Sequence, residues 1–324
     1  MFITKCFHVV RMNTQTPNLI IGIGDLHGDS SAMNGILEKL NAVYHLFDSP
    51  GKLRSDARLV FCGDLIDRGK ESKKVIEAVR ALKQDNENIE VLLGNHELLA
   101  LAARDAFQEF HDLVHTPEDI PRFYVCTLHG MNGGVALLDN YVEEHFGNMR
   151  AGFDAMCADF SSAGKIGSWL RQRPAAVIYS LVEKDVLFVH GGIPRTFKTK
   201  EDLEKYMQDF RIHLAQASAV IGGGRKKYLS HCLVDDKSIF WERNTHYRSR
   251  EEVHAQLRAL GVDYAVFGHT PVKEITMYHD CLFDIDVGMS SAYGGRDPAA
   301  ISFTPEGVFA IYKSQEQPLK LKDI

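Results

Sequence analysis

A chain of 324 residues, 45% hydrophobic and 25% charged, has the composition of an ordinary soluble globular protein, long enough to bury a sizeable core in one large α/β unit or two smaller ones. Its formal charge of −6 gives no general attraction to nucleic acid or to an anionic membrane, so a nucleic-acid scaffold is excluded and any phosphate recognition must come from a local site. The N-terminal MFITKCFHVVRMN is interrupted by Lys5, His8 and Arg11, no apolar run approaches the roughly 18 residues of a membrane span, and the six scattered cysteines form no CxxC pair, so a cytoplasmic protein with reduced thiols and no membrane partner is expected.

The first hundred residues alternate strand and helix signals. NLIIGIGD is a strand, Ser30 to about Asn41 a helix, ARLVFCGD a strand, Glu71 to about Lys83 a helix, and IEVLLGNHE a strand. Apolar runs of four to six residues separated by helices imply βαβ units feeding a sheet covered on both faces. From about 98 to 170 the periodicity turns helical, with a glycine-containing break at CTLHGMNGGV, and is expected to form an inserted cap. Strands return at VIYSLVEKDVLFVHGGI, where VEKD supplies a hairpin turn, and at DYAVFGHT; between them, about 199 to 260, lies a second helical insertion containing the glycine-rich IGGGRKK. The tail, EITMYHDCLFDIDVGMSSAYGG and AISFTPEGVFAIYK, has the pattern of short antiparallel strands with PEG as a turn.

Polar clusters recur where the strands end: Asp25 and His27; Asp64, Asp67 and Arg68; Asn95, His96 and Glu97; His190; His269. Each follows an apolar run and adjoins a glycine, as expected where backbone passes close to a ligand, and strand ends of an open α/β sheet are where ligand crevices form. The donors are oxygen and imidazole without sulfur, which suits Mn, Fe or Zn better than a thiolate zinc site. Asp25, His27, Asp64, Asn95, His190 and His269 are too many for one divalent ion and suit two, with one carboxylate between them. Arg68 offers the planar fork that matches a phosphoryl group. Phosphoester hydrolysis is the reaction to which this set points. A cysteine phosphatase is a poor alternative: Cys62 and Arg68 have the right spacing, but Cys62 lies within the strand, and Asp64 and Asp67 in the loop would repel a phosphate dianion.

GDLHG (24–28), GDLIDRG (63–69), GNHE (94–97), HGG (190–192) and GHT (268–270), in that order, resemble the signature of phosphoprotein phosphatases within the calcineurin-like metallophosphoesterases. LLGNHELL, GKIGSWLRQRP, LFVHGGIP, FWERN and DIDVGMSSAYGG are similar to the bacterial and Shewanella-like branch, and the resemblance runs from about 20 to 295. It implies an α/β fold, a single domain over 1–324, in which a β-sandwich is flanked by helices and the metals sit at strand ends on one edge. By the same resemblance Asp25 and His27 hold the first of two divalent ions, manganese before iron or zinc; Asp64 bridges; and Asn95, His190 and His269 hold the second. His96 is then the general acid, Asp67 orients its imidazole, and Arg68 and Arg243 bind phosphate oxygens.

The implied activity is phosphomonoester hydrolysis by in-line attack of a metal-bridging hydroxide, with a phosphorylated protein or peptide (Ser/Thr, Tyr or both) as substrate. A dinucleoside polyphosphate hydrolase is the alternative, and the cap aromatics Phe107, Phe110, Phe123, Tyr124 and Tyr141 permit either an open groove or a slot for a base. Three further residues have two readings. Arg243 is a phosphate ligand or a structural arginine beside Trp241; Tyr293 touches substrate or packs a turn; Asp29 is a helix cap rather than a ligand. Glu97 is expected to accept hydrogen bonds that hold a ligand or loop. The remaining histidines, His129 among them, lack the strand-end context and are assigned to surface or core.

Overall fold

Leu19, Ile20, Ile21 and Ile23 follow one another without polar alternation, and such a strand is stable only when covered on both faces. In the computed structural model, which describes residues 17–109, 116–216 and 238–324, the run forms β1 (Leu19–Ile23), buried at every position. It leads to α1 (Ser30–Tyr44), a small hairpin of β2 (Phe47–Ser49) and β3 (Lys52–Leu53), β4 (Ala57–Phe61), α2 (Ser72–Asp85) and β5 (Ile89–Val91). β1 pairs in parallel with β4 and β4 with β5, the two βαβ units expected. Asp29 caps α1 by accepting the Ala32 N–H at 2.9 Å. The short, largely exposed β2–β3 hairpin carries too little apolar signal to be read from the sequence.

After β5 the chain is helical through α3 (Asn95–Glu109), α4 (Asp119–Tyr124), a wide turn at Gly130–Gly134, α5 (Val135–Glu144), α6 (Met149–Asp159) and α7 (Lys165–Leu170). The stretch NYVEEHFGNMRAGFDAMCADF, continuous in its periodicity, breaks at Gly147 (φ 78°), and the Asn148 side chain restarts the helix by accepting the Ala151 N–H at 3.0 Å. Asn140 fastens this layer to the start of α2: its Nδ2 donates to Lys70 O at 2.6 Å and its Oδ1 accepts Lys73 N–H at 3.1 Å.

The remaining elements are β6 (Ala176–Leu181), β7 (Lys184–Val189), α8 (Lys200–Gln216), α9 (Arg250–Leu260), β8 (Tyr264–Phe267), β9 (Thr276–Tyr278), β10 (Leu282–Asp284), β11 (Ala299–Thr304), β12 (Gly307–Tyr312) and β13 (Leu319–Lys322). IGGGRKK lies outside the described residues. One sheet has the order β13-β12-β11-β1-β4-β5 and the other β6-β7-β8-β10-β9. The tail is antiparallel as expected within β9–β10 and β11–β12, but it divides between the sheets, because β10 also pairs in parallel with β8 and β11 antiparallel with β1. The two sheets meet through aromatic rings. Phe303 of β11 receives Phe188, Tyr264 and Phe283 from the opposite sheet at centroid separations of 6.3, 5.9 and 5.5 Å.

This is the sandwich that brings the ends of β1, β4, β5, β7 and β8 to one edge, where Gly268 N–H donates to His190 O at 2.8 Å across the second sheet. No helix among the described residues is long and apolar enough to cross a membrane. Because Phe303 is the ring on which three others converge, Phe303→Ala is expected to cost about 3–5 kcal/mol in urea unfolding. A cost below about 1 kcal/mol would mean that the sheets do not pack through this residue.

Candidate metal centre

The loops leaving β1, β4 and β8 are held in backbone conformations that side chains disfavour. His27, Asp64, Asp67, Arg68 and His269 have φ of 39°, 51°, 73°, 66° and 70°, and they make up half of the ten described non-glycine residues with positive φ. Each such residue costs of order 1–3 kcal/mol and persists only where its surroundings enforce it. Glu97, at the start of α3, is one enforcer: its carboxylate accepts the backbone N–H groups of Asp64, Leu65 and Gly94 at 2.9, 2.8 and 2.8 Å. The motif glycines have a related purpose. A Cβ on Gly94 would overlap the Asp64 carboxylate and one on Gly268 would overlap that of Asp25, so the glycines admit carboxylates where a ligand had been expected.

Three imidazoles face the centre, two of them with their tautomers set from behind. His27 Nδ1 donates to Ile66 O at 3.0 Å, leaving Nε2 3.6 Å from Asp64 and 3.8 Å from Asp25. His190 Nδ1 donates to Cys62 O at 2.8 Å, leaving Nε2 3.3 Å from Asp64 Oδ2 and 2.9 Å from Asn95 Oδ1. The buried Nε2 of His269 has no hydrogen-bond partner. Burial drops His27 to about 3 and takes His269 well below the usual imidazole range, which keeps both rings in the neutral form that binds metal.

The carboxylates are as telling. Burial, then the facing carboxylates of Asp286 and Asp64, push Asp25 well above the ordinary range. Burial acts the same way on Asp64, but the imidazoles of His190 and His96 hold it well below. Behind Asp25, burial raises Asp286 to about 6 and, with Asp286 as neighbour, Asp284 to about 8. These acids are almost wholly buried, and buried like charges are tolerated only when something positive compensates them. His190 makes the same demand: with its Nδ1 proton given to Cys62, Nε2 points at two oxygen acceptors and needs either a second proton or a shared cation.

Two groups of side chains could each hold an ion, their ligand atoms lying within 4.8 Å of one another: His27, Asp64 and His96, and Asp64, His190 and His269. Asp64 belongs to both. Asn95 joins the second group through His190, whereas Asp25 lies beside the first with its carboxylate accepting the His269 N–H at 3.2 Å from each oxygen. The residues therefore fit a pair of divalent cations on the chemistry of their donors.

The other expected residues surround this centre. His96 Nδ1 donates to Asp67 Oδ2 at 2.8 Å, while its Nε2 lies 3.8 Å from Asp64 and 3.3 Å from a guanidinium nitrogen of Arg68. Burial opposes protonation of His96, but Asp64 and the hydrogen bond to Asp67 carry it above the usual range. Arg243 donates to His269 O at 2.9 Å and Thr270 Oγ1 at 3.0 Å. Tyr293 places its hydroxyl 3.4 Å from His27 Nε2 and its ring under Arg68, 5.1 Å from centroid to guanidinium carbon. It therefore borders the centre as well as packing a turn.

Three further residues at the centre lie outside the expected set. Asp284 and Asp286 are alternate carboxylates at the end of an apolar strand, as Asp25 and His27 are alternate donors in GDLHG, and DIDVG carries that signal. His129 was assigned to surface or core, yet its Nε2 lies 2.9 and 2.8 Å from the two oxygens of Asp67. Burial would raise Asp67, but the charge and hydrogen bonds of His129 and His96 hold it at about 2. No strand end precedes His129, and only the folded cap brings it there.

The described architecture and the site have counterparts among known proteins. The model of the calcineurin-like phosphoesterase family matches residues 19–273. Shewanella-like protein phosphatase 2 of Arabidopsis thaliana is 24% identical over 318 residues, covering 87% of this chain and 74% of that protein. A symmetrical bis(5'-nucleosyl)-tetraphosphatase of Janthinobacterium sp. (strain Marseille) is 36% identical over 171 residues, which span 53% of this chain and only 42% of that relative. Among solved structures, the cold-active protein-tyrosine phosphatase of a psychrophilic Shewanella sp. superposes with a TM-score of 0.64 at 17% identity, covering 94% of this chain and 81% of that one, a likeness of fold. With the family model spanning most of its length, from β1 through the strand end that carries His269, the chain belongs to the calcineurin-like phosphoesterase family.

Proposed function

We propose that the chain is a dimetal phosphomonoesterase acting on a phosphorylated protein or peptide. The observation that carries this reading is the single buried carboxylate of Asp64 shared by two groups of imidazole ligands, with His96 Nε2 turned toward the same point. Asp25, His27 and Asp64 would hold one ion, and Asp64, Asn95, His190 and His269 the other; this oxygen and imidazole set suits manganese, with iron or zinc as substitutes. Such ions, when bound, supply Lewis-acid charge to phosphoryl oxygens and lower the pKa of a water.

The chain's own residues do the rest. Arg68 offers its guanidinium to phosphate oxygens from a position beside His96, and Arg243 does so from its anchor on His269 O and Thr270. His96, kept in orientation by Asp67, gives the proton on Nε2 to the departing oxygen as the P–O bond breaks. Tyr293 closes the near wall over His27.

Two observations favour a protein substrate over a dinucleotide. Tyr124 and Tyr141 are buried and committed, Tyr124 to His129 at 2.6 Å and Tyr141 to Asp159 at 2.6 Å, so neither is free to stack on a base. The Phe107 and Phe110 side chains lie outside the described residues. Beside the centre an open groove of about 590 Å³, lined by Asp29, Lys70, Ser291, Arg296 and Lys313, could accept an extended chain. The similarity to the Arabidopsis phosphatase also runs over most of this chain, whereas that to the tetraphosphatase covers half. The higher identity of that half is what favours the second reading, hydrolysis of a dinucleoside polyphosphate.

Initial rates of Mn²⁺-loaded protein on a phosphotyrosine peptide, a phosphothreonine peptide and diadenosine tetraphosphate separate the two. Faster turnover of a phosphopeptide is expected, and faster turnover of the dinucleotide would overturn the substrate class while leaving the metal chemistry intact. Asp64→Asn is expected to lower turnover of every substrate by more than about 100-fold; retention of most activity would remove Asp64 from the centre. His96→Asn is expected to cost an alkyl phosphate about 100-fold or more while sparing an aryl phosphate with a good leaving group. Equal losses on both esters would contradict the acid role.

A further inference from the structure

Asp67 is held from two sides. On one side is His96, whose Nδ1 donates to Oδ2 at 2.8 Å. On the other is His129, from the cap, whose Nε2 lies 2.8 Å from Oδ2 and 2.9 Å from Oδ1. Behind His129, Tyr124 Oη sits 2.6 Å from Nδ1. All four side chains are buried. His129 Nε2–H donates to Asp67, Asp67 also accepts Nδ1–H of His96, and the Tyr124 hydroxyl completes the line at His129 Nδ1.

The same cap segment grips the loop by its backbone as well, because Gly133 O accepts the Arg68 N–H at 3.1 Å. The ring of His129 sits where Gly134 leaves room for it, since a Cβ on Gly134 would meet the imidazole. Both nitrogens of His129 are thereby committed to one line of hydrogen bonds that ends on Asp67. Without His129, Asp67 would keep one side-chain partner, and its carboxylate could rotate and carry His96 out of line. The arrangement is rigid on one side only because of the cap.

We propose that His129, braced by Tyr124, is a positioning residue for acid catalysis, by which the helical cap sets the orientation of the Asp67–His96 pair. The inference rests on the acid role of His96 proposed above. It makes the cap part of the catalytic apparatus: removing the His129 donor lowers the rate where the leaving group needs a proton and leaves intact the binding of phosphate by Arg68 and Arg243.

The test compares His129→Ala, His129→Gln, Tyr124→Phe and His96→Asn with the parent protein on p-nitrophenyl phosphate and on an alkyl phosphate, with kcat and KM measured separately and thermal melts as the folding control. His129→Ala is expected to lower kcat on the alkyl ester about 10-fold or more, to lower it less than about 3-fold on p-nitrophenyl phosphate, and to leave KM within about 2-fold. His129→Gln, which keeps an N–H to offer Asp67, recovers most of the loss. Should His129→Ala fail to fold, Tyr124→Phe carries the test, with a smaller loss of the same bias. If His96→Asn shows the leaving-group bias and neither His129→Ala nor Tyr124→Phe does, the inference is overturned and the acid role stands. If His96→Asn itself lowers both esters equally, the acid role fails and the inference with it.

Discussion

A carboxylate removed from water must find compensating charge, and in this protein that requirement is concentrated on Asp64 and its neighbours. Asp25, Asp64, Asp284 and Asp286 are buried at the strand ends, and the Asp64 carboxylate lies within 3.8 Å of the imidazoles of His27, His96 and His190. Opposite shifts of two adjacent acids, Asp25 upward and Asp64 downward, are the signature of anions crowded together with one favoured by its imidazole partners. Two dications would resolve this crowding and would also satisfy the unpartnered Nε2 of His269 and the Nε2 of His190 that faces only acceptors. Much of the structure around the site is explained as what is needed to keep this charge in place.

The two sheets are the means. Parallel pairing of β1, β4 and β5 puts Asp25, Asp64 and Asn95 on one edge, and β7 and β8 bring His190 and His269 to meet them. The loops then adopt left-handed conformations at Asp64 and Asp67, which aspartate tolerates better than most side chains but still at a cost. Glu97 holds the first through three backbone N–H groups, and Ser72 Oγ accepts the Asp67 N–H at 2.9 Å at the second. Strain at the site is thus held by residues that do not themselves face the reacting group.

How much of this was legible in the sequence depends on how each residue reaches the site. Asp25, His27, Asp64, Asn95, His190 and His269 each follow an apolar run, so periodicity marked the strand and the position after it marked the ligand crevice. Asp284 and Asp286 carry the same mark in DIDVG, although the tail was read only as a set of strands. β13 was missed because LKLK is too polar and too short to signal a strand away from its partner β12. His129 was illegible for a different reason. It lies on a helical segment, and its meeting with Asp67 is made by the packing of the cap on the start of α2, a long-range event that local pattern does not encode.

Whether two ions share Asp64 is read from electron paramagnetic resonance of the Mn²⁺-titrated protein. Two ions bound per chain and a spin-coupled spectrum from a close pair are expected, with Asp64→Asn losing the coupling. A single isolated Mn²⁺ spectrum at saturation, unchanged by Asp64→Asn, would contradict a shared Asp64.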